Sequence, residues 1–147
     1  MRPAAVTAPV LRETELKLPA DPSAMVMARI MGRTMLTVLG WQGSVHAAVD
    51  VLGHLVDNAV AHGLAPGRTR PGEELRTWLR VTDAGELVID VADPNPQFPR
   101  FDAAAGGTLG RGLWHVKHHG ARLSWFLTSD FEGKTVRATM TATRVAP

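Results

Sequence analysis

Residues 51–63, VLGHLVDNAVAHG, constrain the fold more than any other part of the sequence. His54, Asn58 and His62 are spaced four residues apart and therefore share one helix face. Apolar residues recur beside that face at helical spacing, so one side of the helix must pack against a core. They are Val45, Ala48, Val49, Leu52, Leu55, Val56, Ala59 and Val60. A polar amide on a half-buried helix is costly without a partner, so the partner of Asn58 becomes the central question.

The overall composition indicates one soluble globular domain. The chain has 147 residues, of which 45% are apolar and 20% are charged, and this length allows a sizeable core. The absence of cysteine excludes disulfides, thiolate metal sites and a thiol nucleophile. No run of about 18 apolar residues and no secretory leader pattern occurs, so we expect a cytoplasmic protein without a membrane partner.

The charge pattern argues against direct binding to nucleic acid. The 16 basic and 14 acidic residues give a formal net charge of +2. The arginines are scattered, and no block of five or six like charges occurs. Nucleic-acid binding usually needs a clustered basic stripe, so we expect partners other than DNA or RNA.

The chain is predicted to begin with a tail and one strand. The start is rich in Pro and Ala and has no periodicity, which indicates a flexible N-terminal tail over residues 1–12. A single domain is expected over residues 13–147. Polar and apolar residues alternate over residues 13–18, ETELKL, as is typical of a half-exposed strand.

Two helices are expected after this strand, each with its own start and end signals. Asp21 offers an N-cap oxygen and Pro22 suits the first helical position, and a Met-, Ala- and Leu-rich helix continues to about Leu39. Ser44 is expected to cap the second helix. Gly63 is expected to end it, because glycine adopts a positive φ at little cost.

The second half of the chain is predicted to contain four strands and one short helix. The strands are expected at residues 75–82, 86–93, 122–127 and 134–143, and the helix at residues 112–119. Helices and strands in runs, without strict alternation, favour an α+β fold. We expect a two-layer α/β sandwich, with a mixed, mostly antiparallel sheet that helices cover on one face.

Asp93 ends the segment ELVIDVAD, in which successive side chains alternate between two faces. It points to the same side as Leu87, Ile89 and Val91, so a carboxylate lies at the end of an apolar, inner-facing row. The residues that follow, 94–112, contain three prolines and four glycines, which prevent a core strand or helix. A connection this long in a compact domain is usually a lid or a binding loop.

Four parts of the sequence carry groups that suit one ligand. The carbonyl oxygen of Asn58 suits Mg²⁺, which keeps several waters and takes its other ligands from phosphates. A buried carboxylate such as Asp93 accepts a hydrogen bond from an exocyclic amine, as adenine presents. Glycines in residues 107–112 let the backbone at a helix start approach phosphates. With residues 133–135, GKT, these features predict a site for a magnesium-bound adenine nucleotide.

Two common nucleotide motifs do not apply. Residues 133–135 resemble the end of a P-loop, but its first glycine would fall at Thr128 and the segment leads into a strand. Glycines 107, 110 and 112 read G-x-x-G-x-G, the reverse of the dinucleotide fingerprint, and no βαβ unit surrounds them. A different nucleotide-binding fold is therefore required.

Four segments resemble the motifs of the GHKL ATP-binding superfamily, which includes histidine kinases, gyrase and MutL. Within it, the sequence is most similar to the small anti-sigma-factor serine/threonine kinases of bacteria. HLVDNAVAHG resembles the N box, VIDVADPNPQFP the G1 box, GTLGRGLWHV the G2 box, and EGKTVRATM the closing G-G-K-T-V segment. The motifs occur in the family's order and spacing over residues 13–143.

The resemblance implies a Bergerat fold that binds ATP and Mg²⁺. It makes Asn58 the magnesium ligand and residues 94–111 the ATP lid. It also implies a sigma factor or an anti-sigma-factor antagonist as the protein partner. Members of the family often form homodimers, and the sequence leaves that state open here. The positions that the resemblance assigns to ATP binding are Asn58, Asp93, Asn95, Gly107, Gly110, Arg111, Gly112, Leu113 and Thr135.

Three positions depart from the family pattern. Asn95 replaces the first G1 glycine, and His115 stands where an apolar residue is usual. His54 replaces the N-box glutamate, which acts as general base when a partner's serine is phosphorylated. Imidazole can act as a base near neutral pH, but its reach differs from that of a carboxylate. Two hypotheses follow: a serine/threonine kinase, or a catalytically impaired pseudokinase that acts as a nucleotide-gated protein-binding module.

Other interpretations stay open at several positions. Lys134 and Thr135 also fit ordinary strand residues. His115, His118 and His119 share a helix face, but no nearby Asp, Glu or Cys completes a metal site, which disfavours that interpretation. A detached sensor-kinase ATPase domain is disfavoured because no phosphoacceptor helix precedes the first strand.

Overall fold

The structure, a computed structural model, describes residues 8–64, 73–96, 112–129 and 133–142. These residues form five strands and three α-helices, one of which continues into a π-helical turn. In chain order they are β1 (Val10–Pro19), α1 (Ala24–Leu39), α2 (Val45–Asn58) with its π-helical turn (Ala59–Gly63), β2 (Glu74–Thr82), β3 (Glu86–Asp93), α3 (Gly112–His118), β4 (Arg122–Leu127) and β5 (Lys134–Thr141).

The five strands form one sheet in the order β1-β2-β3-β5-β4. Each neighbouring pair among the described strands is antiparallel. The helices cover one face of this sheet, and the apolar core lies between the two layers. The predicted α+β sandwich is therefore confirmed, with an antiparallel sheet in the described part of the chain.

Helix α2 is the centre of the core, as its apolar spacing predicts. Leu52, Leu55 and Val56 are completely buried. Gly32 of α1 lies so close to α2 that a Cβ atom there would be 2.5 Å from Cδ2 of Leu52. The two helices therefore pack in direct contact, and α2 is held between α1 and the sheet.

The first strand begins earlier than the sequence indicates. Residues 10–12, assigned to the predicted tail, belong to β1, because β2 extends to Thr82 and pairs with Val10. Arg12 also donates a hydrogen bond from Nε to the carbonyl oxygen of Leu39, 2.7 Å away, which joins the start of β1 to the end of α1. Residues 1–7 of the predicted tail lie outside the described residues.

The predicted start of α1 at Asp21 is wrong by two residues. The helix begins at Ala24 after an N-cap at Ser23. Asp21 Oδ1 instead accepts a hydrogen bond from the backbone N–H of Ser23, 2.8 Å away. A short acidic side chain readily bonds the backbone two residues on, and this local turn delays the helix.

The limits of α2 are partly as predicted. Ser44 caps its start, since its side chain accepts a hydrogen bond from the backbone N–H of Ala47. The helical segment also ends at Gly63, as predicted, but its last turn, Ala59–Gly63, is π-helical, and Leu64 follows with φ −103°. The extra turn extends the helical segment beyond Asn58. The remaining strand and helix limits agree with the sequence prediction to within two residues.

No helix in the described ranges combines the length and the apolar character needed to cross a membrane.

Two matched substitutions test the central position of α2. Val56→Ala should lower the free energy of unfolding by about 2 kcal/mol, because it removes two buried carbons and leaves a cavity. Val38→Ala, in α1, removes the same atoms from a side chain that is 72% exposed and should change stability by less than about 0.5 kcal/mol. Both variants gain the same helix propensity, so their difference reports burial alone. Equal losses in chemical denaturation would contradict this assignment of the core.

Candidate functional site

Asp93 lies at the end of β3 on the face that the helices cover, as the sequence predicts. Its side chain is fully buried. Oδ1 accepts hydrogen bonds from Lys134 Nζ at 3.0 Å and from the backbone N–H of Asn95 at 2.9 Å. Oδ2 is equally buried and has no hydrogen-bond partner among the residues that the structure describes. An acceptor left unpaired in the interior is costly, which marks this atom as a candidate ligand contact.

Burial has a direct effect on the charge of this carboxyl group. Desolvation raises the pKa of Asp93, because the interior disfavours the charged form. The positive charge of Lys134 and its hydrogen bond act in the opposite direction, as does the N–H of Asn95. Lys134 is therefore the main group that opposes neutralisation of Asp93.

Lys134 is a site residue that the sequence prediction treats only as an ordinary strand residue or ligand contact. Strand β5 pairs with β3 so that Lys134 lies opposite Asp93. The lysine is buried, and Nζ also donates to the carbonyl oxygen of Asn95, 3.1 Å away. A buried lysine requires a partner, so its place beside a buried aspartate could have been inferred only with the strand register.

Asn95 connects the end of β3 to the end of the central helix. Its side-chain Nδ2 donates to the carbonyl oxygen of His62, 3.2 Å away, in the π-helical turn. Its backbone N–H and carbonyl oxygen contact Asp93 and Lys134. Asn95, which the sequence resemblance aligns with a glycine, therefore supplies a side-chain contact that glycine lacks.

Gly133 lies against the backbone of Asp93. A Cβ atom at this position would be 2.3 Å from the carbonyl oxygen of Asp93, which is too short for any side chain. The hydroxyl of Thr128 donates to the Gly133 carbonyl oxygen and accepts from its N–H, at 3.2 and 3.1 Å. The glycine of the closing segment is therefore required by packing against Asp93.

Asn58 is the last residue of α2 and is half-buried. It precedes the π-helical turn, and its side chain makes no capping hydrogen bond to that turn. Short π-helical turns often occur at functional sites. The Asn95–His62 hydrogen bond joins this end of α2 to the segment after Asp93. The predicted ligand positions Asn58 and Asp93 therefore lie on segments that contact each other.

The remaining predicted ligand positions that the structure describes do not lie together at one place. Leu113 is buried in the core, and Gly112 is the first residue of α3. Thr135 is also buried, but it lies opposite Ala92, so its side chain belongs to the sheet face away from Asp93. Gly107, Gly110 and Arg111, with most of the predicted lid, lie outside the described residues.

Asp90, on the same strand as Asp93, provides a contrast. It faces the other side of the sheet and is 3% exposed. Both of its oxygens accept hydrogen bonds from Arg137, at 2.7 and 2.8 Å, and Arg80 also contacts one of them. This carboxylate is saturated by protein groups, so it has a structural role.

His54 lies in a cluster of charged and aromatic side chains between α2 and α3. Its Nε2 is 3.5 Å from Oδ2 of Asp50, one turn earlier on α2. The same oxygen is 2.7 Å from Nε2 of His119, and Arg29 contacts the other oxygen at 3.3 Å. The face of His54 stacks on His115, with ring centroids 5.0 Å apart and planes inclined by 14°.

This stacking joins two departures from the family pattern that the sequence treats as separate. The sequence resemblance aligns His54 with a glutamate and His115 with an apolar residue, and the two rings contact each other in the structure. The three histidines of α3 and its end have different partners: His115 stacks on His54, His118 stacks on Trp114, and His119 contacts Asp50. No group of three or more potential metal ligands occurs in the described ranges.

The cluster shifts the pKa values of two of its members. Burial lowers the pKa of His54, and the charges of His115 and Arg29 reinforce this, while Asp50 and Asp57 oppose it. Burial raises the pKa of Asp50, but the hydrogen bond from His119 and the charges of His54, His119 and Arg29 outweigh it, so the net shift is downward.

Comparison with known proteins gives a shared fold. No protein-family model matches the sequence, and no curated protein matches it. The crystal structure of the RsbU and RsbW domains of Rv1364c from Mycobacterium tuberculosis is similar, with a TM-score of 0.56 and 20% sequence identity. The similarity covers 92% of this chain and 34% of that chain, so this chain spans about a third of its length. At this identity the comparison establishes the fold.

The lowered pKa of His54 predicts a specific dependence of stability on pH. Between the folded-state pKa and the ordinary value of 6.5, the unfolded chain binds more protons, so stability falls as the pH drops through that window. When the pH is lowered from about 8 to about 5.5, the free energy of unfolding should fall less in His54→Gln than in the parent. His46→Gln, which replaces an exposed histidine of the same helix, should behave like the parent. Equal pH slopes for the parent and His54→Gln in urea denaturation would exclude this effect.

Proposed function

We propose that this chain is an ATP- and magnesium-binding regulatory protein of the anti-sigma-factor kinase type. The unpaired, buried Oδ2 of Asp93 is the observation that carries the proposal. The four family-like segments and the fold shared with an RsbW-containing structure support it. Its partner would be a sigma factor or an anti-sigma-factor antagonist in the cytoplasm.

Asp93 fits the adenine base because its free oxygen is an acceptor at the end of an apolar row. An exocyclic amine donates the hydrogen bond that Oδ2 lacks, and burial strengthens that contact. Leu87, Ile89 and Val91 precede Asp93 on the same face and are fully or almost fully buried. The base is therefore recognised by one polar atom in apolar surroundings, as is usual for small-molecule sites.

Asn58 fits the phosphate end of the nucleotide. Its carbonyl oxygen is a hard ligand, and Mg²⁺ when bound neutralises charge on the phosphate oxygens. The neighbouring π-helical turn is held to the Asp93 segment by Asn95. Asn58 and Asp93 thus serve the two ends of one ligand.

Binding should be measurable directly by isothermal titration with ADP in the presence of Mg²⁺. Asp93→Asn should weaken ADP binding by about tenfold or more, because it removes the charged acceptor that no protein group satisfies. Asp83→Asn, in the exposed turn between β2 and β3, provides the matched control and should bind like the parent. The absence of binding heat with both ADP and ATP would refute the proposal.

A second candidate, a nucleotide-gated binding module without phosphotransfer, is favoured by the surroundings of His54. In serine phosphorylation, the hydroxyl oxygen bonds to the γ-phosphorus, the bond to the β,γ-bridging oxygen breaks, ADP leaves and a base takes the hydroxyl proton. His54 occupies the position of that base, but it is held between Asp50 and His115. These contacts restrict the reach of the ring toward a substrate bound near Asn58.

Transfer of label from radioactive ATP to candidate antagonist proteins separates the two candidates. We expect no transfer by the parent chain. A glutamate at position 54 alone would be repelled by Asp50, so the informative variant is His54→Glu combined with Asp50→Asn. Gain of transfer by this variant supports the module, with Asn58→Ala in the same background as the inactive control. Serine labelling by the parent would instead establish the kinase.

A further inference from the structure

Lys134 and Asn95 make the two carboxylate oxygens of Asp93 inequivalent, because both residues donate to the same oxygen. Both donors contact Oδ1, at 3.0 Å from Lys134 Nζ and 2.9 Å from the Asn95 N–H. Oδ2 is buried and accepts from no donor within the described part of the chain. A carboxylate with two free oxygens accepts two parallel N–H groups, as in pairing with a guanidinium. Asp93 offers a ligand one acceptor only.

This asymmetry matters because purine bases present different edges. Adenine carries an exocyclic amine beside a ring nitrogen that is an acceptor, so it has one donor position on that edge. Guanine carries a ring N–H beside its exocyclic amine, and this pair of donors requires two acceptor oxygens. With Oδ1 occupied, a buried guanine would retain an unsatisfied N–H group, which is costly.

We propose that Lys134 is a specificity-determining residue, which restricts the Asp93 site to bases with a single amine donor and so selects adenine over guanine nucleotides. This inference rests on the proposed nucleotide-binding function. Lys134 lies on β5 directly opposite Asp93 in the sheet register, and its Nζ donates to Oδ1 of Asp93. Lys134 does not contact the base itself; it limits the number of acceptors that Asp93 offers to the base.

Lys134 has a second effect on the same contact, since it favours the ionised form of Asp93. Burial raises the pKa of Asp93 and the charge of Lys134 lowers it. The neighbours that the structure describes on the other elements contribute no charge: Asn95 contributes its backbone N–H, the π-helical turn contributes the His62 carbonyl oxygen through Asn95, and Leu127 of β4 lies opposite Lys134. A proton on Asp93 would be placed on Oδ2, because Oδ1 already accepts two hydrogen bonds, and would remove the acceptor for the base.

Two substitutions separate these effects from a purely structural role. Lys134→Met has similar length but neither donor nor charge. Lys134→Gln keeps an N–H donor for Oδ1 and removes the charge. Lys17→Met, at an exposed position of β1, provides the control. Each full-length chain is titrated with ADP and GDP in the presence of Mg²⁺ from about pH 5.5 to about pH 8.5, after circular dichroism has verified folding.

The parent and Lys17→Met should prefer ADP strongly over GDP. Lys134→Met should reduce the ratio of ADP to GDP affinity by about tenfold or more, because Oδ1 becomes available to the second donor. Lys134→Gln should keep the ratio. In both Lys134 variants, ADP affinity should begin to fall at higher pH than in the parent, because the pKa of Asp93 rises without the ammonium.

The outcomes distinguish this inference from the proposed function. A parent chain that binds neither nucleotide refutes the function itself. A parent that binds ADP, with a folded Lys134→Met variant whose base preference is unchanged, overturns the selector role of Lys134 alone. If Lys134→Met does not fold, Lys134→Leu takes its place, and a folded Lys134→Leu variant with the parent's ratio of ADP to GDP affinity overturns the inference.

Discussion

The structure depends on a buried carboxylate that the protein satisfies on one side only. Asp93 ends the central strand β3, and its Oδ1 accepts from Lys134 and Asn95 while its Oδ2 accepts from no group in the described ranges. Such a group is tolerated only where the surroundings are fixed, because an unpaired buried acceptor is costly. Gly133 permits the close approach of β5, and Asn95 fixes the end of α2 against the same segment. The neighbouring residues thus all serve to hold one acceptor in place.

Asp90 and Asp93 illustrate how one strand supports both stability and binding. They are three residues apart and point to opposite faces of the sheet. Asp90 is enclosed by the arginines Arg80 and Arg137, so no oxygen remains for a ligand. Asp93 faces the helices, where a single lysine contacts it. The difference in saturation, and not burial, distinguishes the candidate ligand contact from the structural ion pair.

The sequence predicts features that depend on local pattern and misses those that depend on register between distant segments. Helix α2, the inward position of Asp93 and the sandwich follow from periodicities of 3.6 and 2 residues. The sequence pattern groups Lys134 and Thr135 in one motif, but strand alternation places their side chains on opposite faces of the sheet once β5 is aligned with β3. The pairing of Asp93 with Lys134 spans 41 positions in the chain, and no local pattern encodes it. The His54–His115 contact likewise requires the packing of α3 on α2.

The two histidine replacements are best understood as one change at the contact between α2 and α3. A glutamate at position 54 would lie beside Asp50, and two carboxylates one helical turn apart repel each other. An imidazole instead tolerates Asp50 and presents a flat face on which His115 stacks. The contact therefore secures α3 against α2. Among the described residues, Asp93 is contacted by Lys134 and Asn95 and by no member of this cluster, so the candidate ligand contact at the end of β3 is separate from the histidine pair.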